Sequence, residues 1–325
     1  MIEVLIKNNQ NGELFDISQL VDNIEWTTQM EGQPGKLTFD FIKDGSVDFF
    51  EGSPVSFKED NDKIFYGWVF QKDRSKGGKI KVTAYNQLRY MKNTETYIFK
   101  GMTSDAIFIK VCQDFKIKYS IVNSSTYIVP NKIHDNKSLF DVVQYGIDKT
   151  LIDTGKWYIL RDNFGTLEHV DLLSLRTNII IGDDSLLLDY NYQSSIDSDT
   201  ANKVKLARDN KTTKKRDVYI VEDTSNQAKW GVLQFHEVVT DDANEAQLKI
   251  RAEKILNYKN KVFRKLSLSK CIGSNIVQAG SGIFLSIKEL GDISVKQFVI
   301  VTNAVHTYTN SKHIMALEVI LEVLV

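Results

Sequence analysis

The sequence predicts a mainly β protein in which an α+β segment separates two β regions. Apolar and polar side chains alternate with period two along much of residues 1–92. Two capped helical patterns and a hairpin pattern follow in residues 93–177, and the alternation returns in residues 178–325. One helical pattern, at residues 242–257, interrupts the last region. We therefore expect three domains with these boundaries.

The first β region is predicted from strand and turn signals. Leu37, Phe39 and Phe41 alternate with polar neighbours, which is typical of a strand with one buried face. Residues 64–70 form a long apolar run with Gly67 at its centre. A glycine in such a strand indicates a bulge or a sharp bend. The succession of strands and turns predicts a small barrel or sandwich.

The middle segment carries helix signals and a hairpin. Thr103 and Ser138 are each placed to cap a helix, and Asp141 adds an acidic residue to the first turn of the second one. Residues 157–160 form an apolar strand that a turn at residues 162–165 reverses. These patterns predict a compact α+β domain.

The last region contains many candidate strands and one helix. The strands are residues 178–181, 186–190, 203–207, 217–222, 230–239, 264–270, 282–287, 297–305 and 312–323. Asp242 and Glu245 have capping-box spacing, and we expect Ala246, Ile250 and Leu256 on the inner side of that helix. Because this region is longer than the first, we expect its barrel to carry the extra strands and the helix.

Composition narrows the function classes. The chain has 325 residues and a net charge of −1, which argues against non-specific nucleic-acid binding. Its two cysteines, Cys112 and Cys271, lie far apart in sequence and are predicted to be reduced. The apolar runs are too short for a signal peptide or a membrane anchor, so we expect the protein to fold in a cytoplasm.

The sequence offers no clear catalytic, cofactor or metal site. Its five histidines lack metal-ligand spacing, and a two-residue turn at Asn310-Ser311 would place His313 opposite Tyr308 and not opposite His306. The glycines at residues 76–79 and 280–282 fit hairpin turns better than phosphate loops. No G-x-S-x-G occurs, whereas carboxylates are numerous enough to leave a glycosidase-type pair open.

Two groups of residues are candidates for protein contacts. Residues 208–217 carry a cluster of positive charge, which indicates either a solvated loop or a contact to an acidic partner. The candidate residues there are Lys211, Lys214, Lys215 and Arg216. Phe49 and Phe50 lie in a polar loop, either as core anchors or as an exposed interface patch.

Several of these motifs together resemble a known family. The run TGKWYILRDNFGTL at residues 154–167, after a short capped helix, is similar to a hairpin of central hub proteins from contractile phage tails and phage-tail-like bacteriocins. IFYGWV at residues 64–69 and NQLRYMKN at residues 86–93 resemble the same family, of the late control gene D-like, PBSX-prophage type. The resemblance is good over residues 24–170 and looser afterwards.

The resemblance implies a structural role. Hubs of this kind are homotrimers at the centre of a baseplate, each chain containing two tail-tube-like β-barrel domains that flank or enclose an inserted α+β domain. The trimer adapts a sixfold tail tube to a threefold central spike. The implied partners are further copies of the chain, the tail tube protein and the spike protein, with a small LysM-type baseplate protein and the tape measure as additional candidates. No cofactor and no enzymatic activity are implied.

The implied location is the bacterial cytoplasm during assembly and then the baseplate of a phage tail or bacteriocin particle. Two other functions remain open on the sequence. A cell-wall (peptidoglycan) hydrolase predicts a cleft with two carboxylates. A carbohydrate-binding tail module predicts a monomer with an exposed aromatic site.

Overall fold

The computed structural model describes residues 1–42, 45–74, 76–197, 199–210, 214–239, 245–309 and 312–321. Strands account for 52% and helices for 19%, so the predicted mainly β class is confirmed. In these ranges no helix is long and apolar enough to cross a membrane.

The first β region is a run of strands joined by turns. They are β1 (Ile2–Lys7), β2 (Leu14–Asp16), β3 (Val21–Gln29), β4 (Lys36–Ile42), β5 (Pro54–Glu59), β6 (Asp62–Arg74) and β7 (Lys79–Tyr85). The predicted alternation on β4 is confirmed, since Leu37, Phe39 and Phe41 are buried and the residues between them are partly exposed.

Gly67 on β6 serves close strand packing. A Cβ at this position would overlap the carbonyl oxygen of Tyr85 on β7. The register of β6 against β7 shifts between Val69 and Gln71, so the bulge expected on this strand lies just beyond the glycine.

The α+β segment begins with a 3-10 helix, Gln87–Lys92. Its elements are β8 (Thr94–Phe99), α1 (Ser104–Asp114), β9 (Tyr119–Ile121), β10 (Lys132–Ser138), α2 (Leu139–Thr154), β11 (Tyr158–Asp162) and β12 (Leu167–Asp171). A 3-10 helix, Leu172–Leu175, ends the segment. The predicted N-caps are confirmed: the Thr103 hydroxyl accepts from the Ala106 N–H and the Ser138 hydroxyl from the Asp141 N–H.

The last region contains strands from both the main sheet and a separate small sheet. Its elements are β13 (Arg176–Gly182), β14 (Leu187–Ser195), β15 (Lys203–Asn210), β16 (Lys215–Glu222), α3 (Thr224–Trp230), β17 (Gln234–Val238), α4 (Glu245–Lys259), β18 (Phe263–Ile272), β19 (Gly282–Leu290), β20 (Ile293–Thr309) and β21 (Lys312–Ile320). Helix α3 was not expected; it lies between the predicted strands of residues 217–222 and 230–239, and the second of these begins only at Gln234.

One sheet of thirteen described strands runs through both β regions. Its order is β14-β18-β21-β20-β3-β4-β7-β6-β5-β1-β2, with β19 and then β13 attached to β20. The long strand β20 makes this possible, because residues 293–300 pair with β19 and residues 303–308 pair with β3. Closure of the two halves into two barrels remains a prediction.

The structure forms two compact units, and the three predicted domains stay a prediction. One compact unit contains residues 1–191 and 266–325, and the other contains residues 192–265. The second unit has a core of its own, formed where α4 covers one face of the sheet β16-β15-β17. The helix expected within the second barrel therefore belongs to this separate unit. The prediction that residues 93–177 form a domain of their own stays a prediction.

The buried face of α4 differs in part from the predicted one. Ala246 and Ile250 are exposed, whereas Leu248 and Ala252 are fully buried and Leu256 packs partly against the same core. The helix has apolar residues on two of its faces. The face with Leu248 and Ala252, four positions apart, packs against the sheet. The predicted cap at Asp242 lies outside the described residues.

Candidate assembly surfaces

The rings of Phe49 and Phe50 both lie against the Lys72 ammonium. Phe49 is 5% exposed and packs edge-on against Phe41 in the core of the first β region. The Lys72 ammonium lies 5.2 Å from the Phe49 ring and 5.4 Å from the Phe50 ring, and it donates to the Phe49 carbonyl at 2.8 Å. Phe49 thus occupies a core position, while Phe50 is half-buried at the rim. A contact of Phe50 with a partner stays a prediction.

The basic residues lie at the tip of the β15–β16 hairpin. Lys214, Lys215 and Arg216 are exposed, and Lys211 lies outside the described residues. The Arg216 guanidinium binds the Asp209 carboxylate across the hairpin at 2.8 and 3.2 Å. Lys214 has a positive φ of 56° and its N–H donates to the Asn210 carbonyl at 2.8 Å. The described residues that flank the turn thus have defined partners and present positive charge, and we call Lys214, Lys215 and Arg216 the basic hairpin tip.

A chain of buried polar groups holds the β20–β21 hairpin. As expected, Tyr308 and His313 are paired in the register and their rings stack at 4.1 Å. His306 is paired with Met315 and not with His313, as expected, yet the two imidazoles meet, because His306 Nδ1 lies 2.8 Å from His313 Nε2. Residues on one face of neighbouring strands also meet along the diagonal, and long side chains bridge that distance.

Hydrogen-bond geometry fixes the proton positions in this chain. His306 Nε2 lies 2.8 Å from the Val277 carbonyl oxygen, which can only accept, so Nε2 carries the hydrogen. Burial, with His313 nearby, lowers the pKa of His306 to about 3, and the ring is neutral at pH 7. Its Nδ1 then accepts from His313. His313 Nδ1 also lies 3.4 Å from the Glu59 carboxylate at the end of β5.

A serine–histidine pair occurs in the α+β segment and was missed in the sequence. The Ser104 hydroxyl lies 3.2 Å from His169 Nε2, and His169 Nδ1 lies 3.0 Å from the Asn123 carbonyl oxygen. Such pairs can activate a nucleophile. Here both side chains are fully buried and the third partner is a backbone carbonyl. The pair therefore fits a structural contact between α1 and β12.

Two surface cavities of similar size lie in the larger compact unit. One, of about 460 Å³, lies beside the β20–β21 hairpin and is lined in part by Asp22, Glu59 and His313. The other, of about 440 Å³, is lined by Gln29, Met30, Glu31, Trp157, Thr302, Asn303, Glu318 and Ile320. We call this second one the acidic groove. Across the described ranges, no three histidine, cysteine or carboxylate side chains are grouped to hold a metal ion.

The main sheet ends in strands whose outer edges are open to pairing. The ends of the described strand order are β2, β13 and β14. Ile180 on β13 is 52% exposed and Leu188 on β14 is 55% exposed. Unpaired edges with exposed apolar side chains are common sites of strand addition by another chain.

Comparison with known proteins places the chain in a family. A family model described as YQBQ-like matches residues 24–320. The uncharacterized protein YqbQ of Bacillus subtilis (strain 168) is 31% identical over 322 residues, covering 95% of this chain and 96% of the relative. The chain belongs to the YqbQ-like family. The phage-like element PBSX protein XkdQ, from the same strain, is 32% identical to this YqbQ-like chain over 280 residues, covering 83% and 82%.

Solved structures share the fold of this YqbQ-like chain. The 43 kDa tail protein of prophage MuSo2 from Shewanella oneidensis matches 98% of both chains with a TM-score of 0.70 and 12% identity. The Escherichia coli c3393 protein is described as a type VI secretion component similar to T4 bacteriophage tail proteins gp27 and gp5. It matches 94% of this chain and 74% of its own, with a TM-score of 0.56 and 12% identity. At such identities the likeness shows the fold alone.

The YqbQ-like match includes both candidate surfaces. Residues 24–320 contain the acidic groove and the basic hairpin tip, while β1, β2 and the first three residues of β3 precede the match. The sequence pointed to the basic tip through its charge run. It gave no signal for the groove, whose lining comes from three segments that are more than a hundred residues apart.

Proposed function

We propose that this YqbQ-like chain is the central baseplate hub of a contractile injection particle, a phage tail or an R-type bacteriocin. The observation that carries the proposal is the fold shared with a prophage tail protein over 98% of both chains. The relative from the phage-like element PBSX supports it at the level of sequence. So does the likeness to a secretion component that is itself similar to phage tail proteins.

The hub role requires a particular symmetry. A trimer whose chains each supply two similar β regions offers six similar faces to a sixfold tube and three chains to a threefold spike. Strand β20 supports this role, because its two halves connect both β regions in one continuous sheet. A rigid connection of this kind would keep the six faces at fixed spacing.

Sheet edges would supply the contacts between copies. The exposed side chains on β13 and β14 favour edge pairing with a neighbouring subunit. Obligate ring interfaces bury large apolar areas, typically above about 2,000 Å². The proposed partners are further copies of the chain, the tail tube protein and the central spike protein, with a LysM-type baseplate protein and the tape measure as additional candidates.

The proposed role is structural and not enzymatic. The Ser104–His169 pair is sealed from solvent, which favours a packing role over hydrolysis. We propose assembly in the bacterial cytoplasm and then residence in the particle. A zymogram on peptidoglycan tests the non-enzymatic part: we expect no clearing, and clearing that a single carboxylate substitution abolishes would contradict it.

The solution mass of the purified chain tests the trimer. One chain has a mass of 37.1 kDa, so light scattering should give about 111 kDa for the chain alone, or that mass plus the mass of the bound spike protein when the spike is added. A mass of one chain under both conditions, at micromolar concentrations, would contradict the proposal.

A further inference from the structure

The acidic groove lies where β20 changes partners. The register between β20 and β21 shifts between Val301 and Asn303, so Thr302 is the extra residue of a bulge. The Met30 N–H donates to the Thr302 carbonyl at 2.9 Å, and the Thr302 hydroxyl donates to the Glu318 carbonyl at 3.2 Å. These bonds fix the backbone of the bulge, and Thr302 and Trp157 both line the groove.

The chemistry of the groove suits a positively charged side chain. Its rim carries the exposed carboxylates of Glu31 and Glu318, and Trp157 supplies an aromatic ring. The Asn303 side-chain oxygen is buried and accepts no hydrogen bond from the described part of the chain. Carboxylates, an aromatic face and an unsatisfied acceptor together match lysine or arginine, which have donors only.

Glu31 gives a second indication of a missing positive charge. Desolvation by the groups around it, together with the nearby Asp148 carboxylate, raises the pKa of Glu31 above its usual value, although its side chain is exposed at the rim. An ammonium or guanidinium group placed in the groove would stabilise the Glu31 carboxylate and lower its pKa again. The groove as it stands is therefore unfavourable for the negative charge of Glu31.

The chain itself carries a complementary surface. Lys214 and Lys215 of the basic hairpin tip are exposed, and the Arg216–Asp209 ion pair joins strands β15 and β16 beside them. A volume of about 440 Å³ is at the small end of the usual range of ligand pockets, so it accommodates side chains and not a whole domain.

We propose that the acidic groove of one copy receives the basic hairpin tip of the next copy in a closed ring. This inference rests on the proposed trimer and specifies a contact that joins adjacent copies in it. A tip-to-groove contact is heterologous, and repetition of such a contact generates a ring when the rotation closes. Opposite charges on the two surfaces would steer the encounter and set the register of the copies.

Reciprocal charge reversal tests the contact in the full-length chain. We expect K214E/K215E and, separately, E31K/E318K to raise the dissociation constant of the oligomer at least about tenfold. Combination of all four substitutions in one chain restores the pairs with reversed sign and should recover most of the affinity. The matched control is K249E/K254E, which makes the same charge change at exposed positions on α4.

Light scattering at several concentrations measures the affinities, and circular dichroism checks that each variant is folded. Wild-type mass in both reversed variants would overturn the inference while the trimer stands, as would loss of assembly without recovery in the fourfold variant. Disruption by K249E/K254E equal to that by K214E/K215E would also overturn it, because net charge would then explain the effect. A wild-type chain that stays at monomer mass both alone and with the spike protein overturns the trimer and the contact together.

Discussion

At the residue scale, the buried histidines make stability depend on pH. The pKa of His306 is lowered to about 3 by burial, so the folded chain binds fewer protons there than the unfolded chain. The contribution of the neutral His306 to the free energy of unfolding should therefore be fully present above about pH 6.5 and decrease as the pH falls from about 6.5 towards 3. The pKa values of His134, His169 and His313 are lowered in the same direction, with burial as the largest cause.

Replacement of His306 should reduce this pH dependence. Between pH 7 and pH 5, His306 should lower the free energy of unfolding of the wild-type chain by about 2 kcal/mol. The H306Q substitution removes the titrating group and keeps a donor for the Val277 carbonyl. Urea unfolding at the two pH values measures the difference, with H236Q at an exposed position as the control. An unchanged pH dependence in H306Q would contradict the assignment of a neutral, buried ring.

Gly67 provides a second test at the residue scale. G67A should lower the free energy of unfolding by about 2 kcal/mol or more, because the added methyl overlaps the Tyr85 carbonyl. Gly45 is the matched control, since a Cβ there meets nothing within 4 Å. Equal effects of G67A and G45A in thermal unfolding would show that β6 and β7 do not approach as closely as described.

At the element scale, the faces of α4 can be tested by a pair of substitutions. L248A should destabilise the unit of residues 192–265 by about 2–5 kcal/mol, because Leu248 is fully buried. I250A should cost less than about 0.5 kcal/mol, because Ile250 is 53% exposed. Hydrogen exchange of the β15 amides would measure both losses of stability. A larger loss of stability in I250A than in L248A would mean that the face predicted from the sequence is the buried one.

The elements also show how far sequence reasoning reaches. The caps at Thr103 and Ser138 and the alternation on β4 were predicted, because each depends on neighbours within a few positions. The side of α4 was predicted wrongly in part, because tertiary packing chose between two apolar stripes. The His306–His313 contact and the acidic groove were missed, because they depend on register and on the bulge at Thr302.

At the scale of the whole molecule, the sequence indicated two β regions but not their connection. The connection is strand β20, which pairs with β19 along its first half and with β3 along its second half. The two β regions therefore share backbone hydrogen bonds within one sheet. The separate unit of residues 192–265 was also missed, because its strands have the same alternation as the others. Pattern alone does not say which strands pair with each other.

Electron microscopy of the purified chain, alone and with its spike protein, would show the symmetry of the assembly. We expect class averages of a threefold ring with six similar β lobes around a central channel. Single compact particles in both samples, or a ring of another symmetry, would contradict the hub.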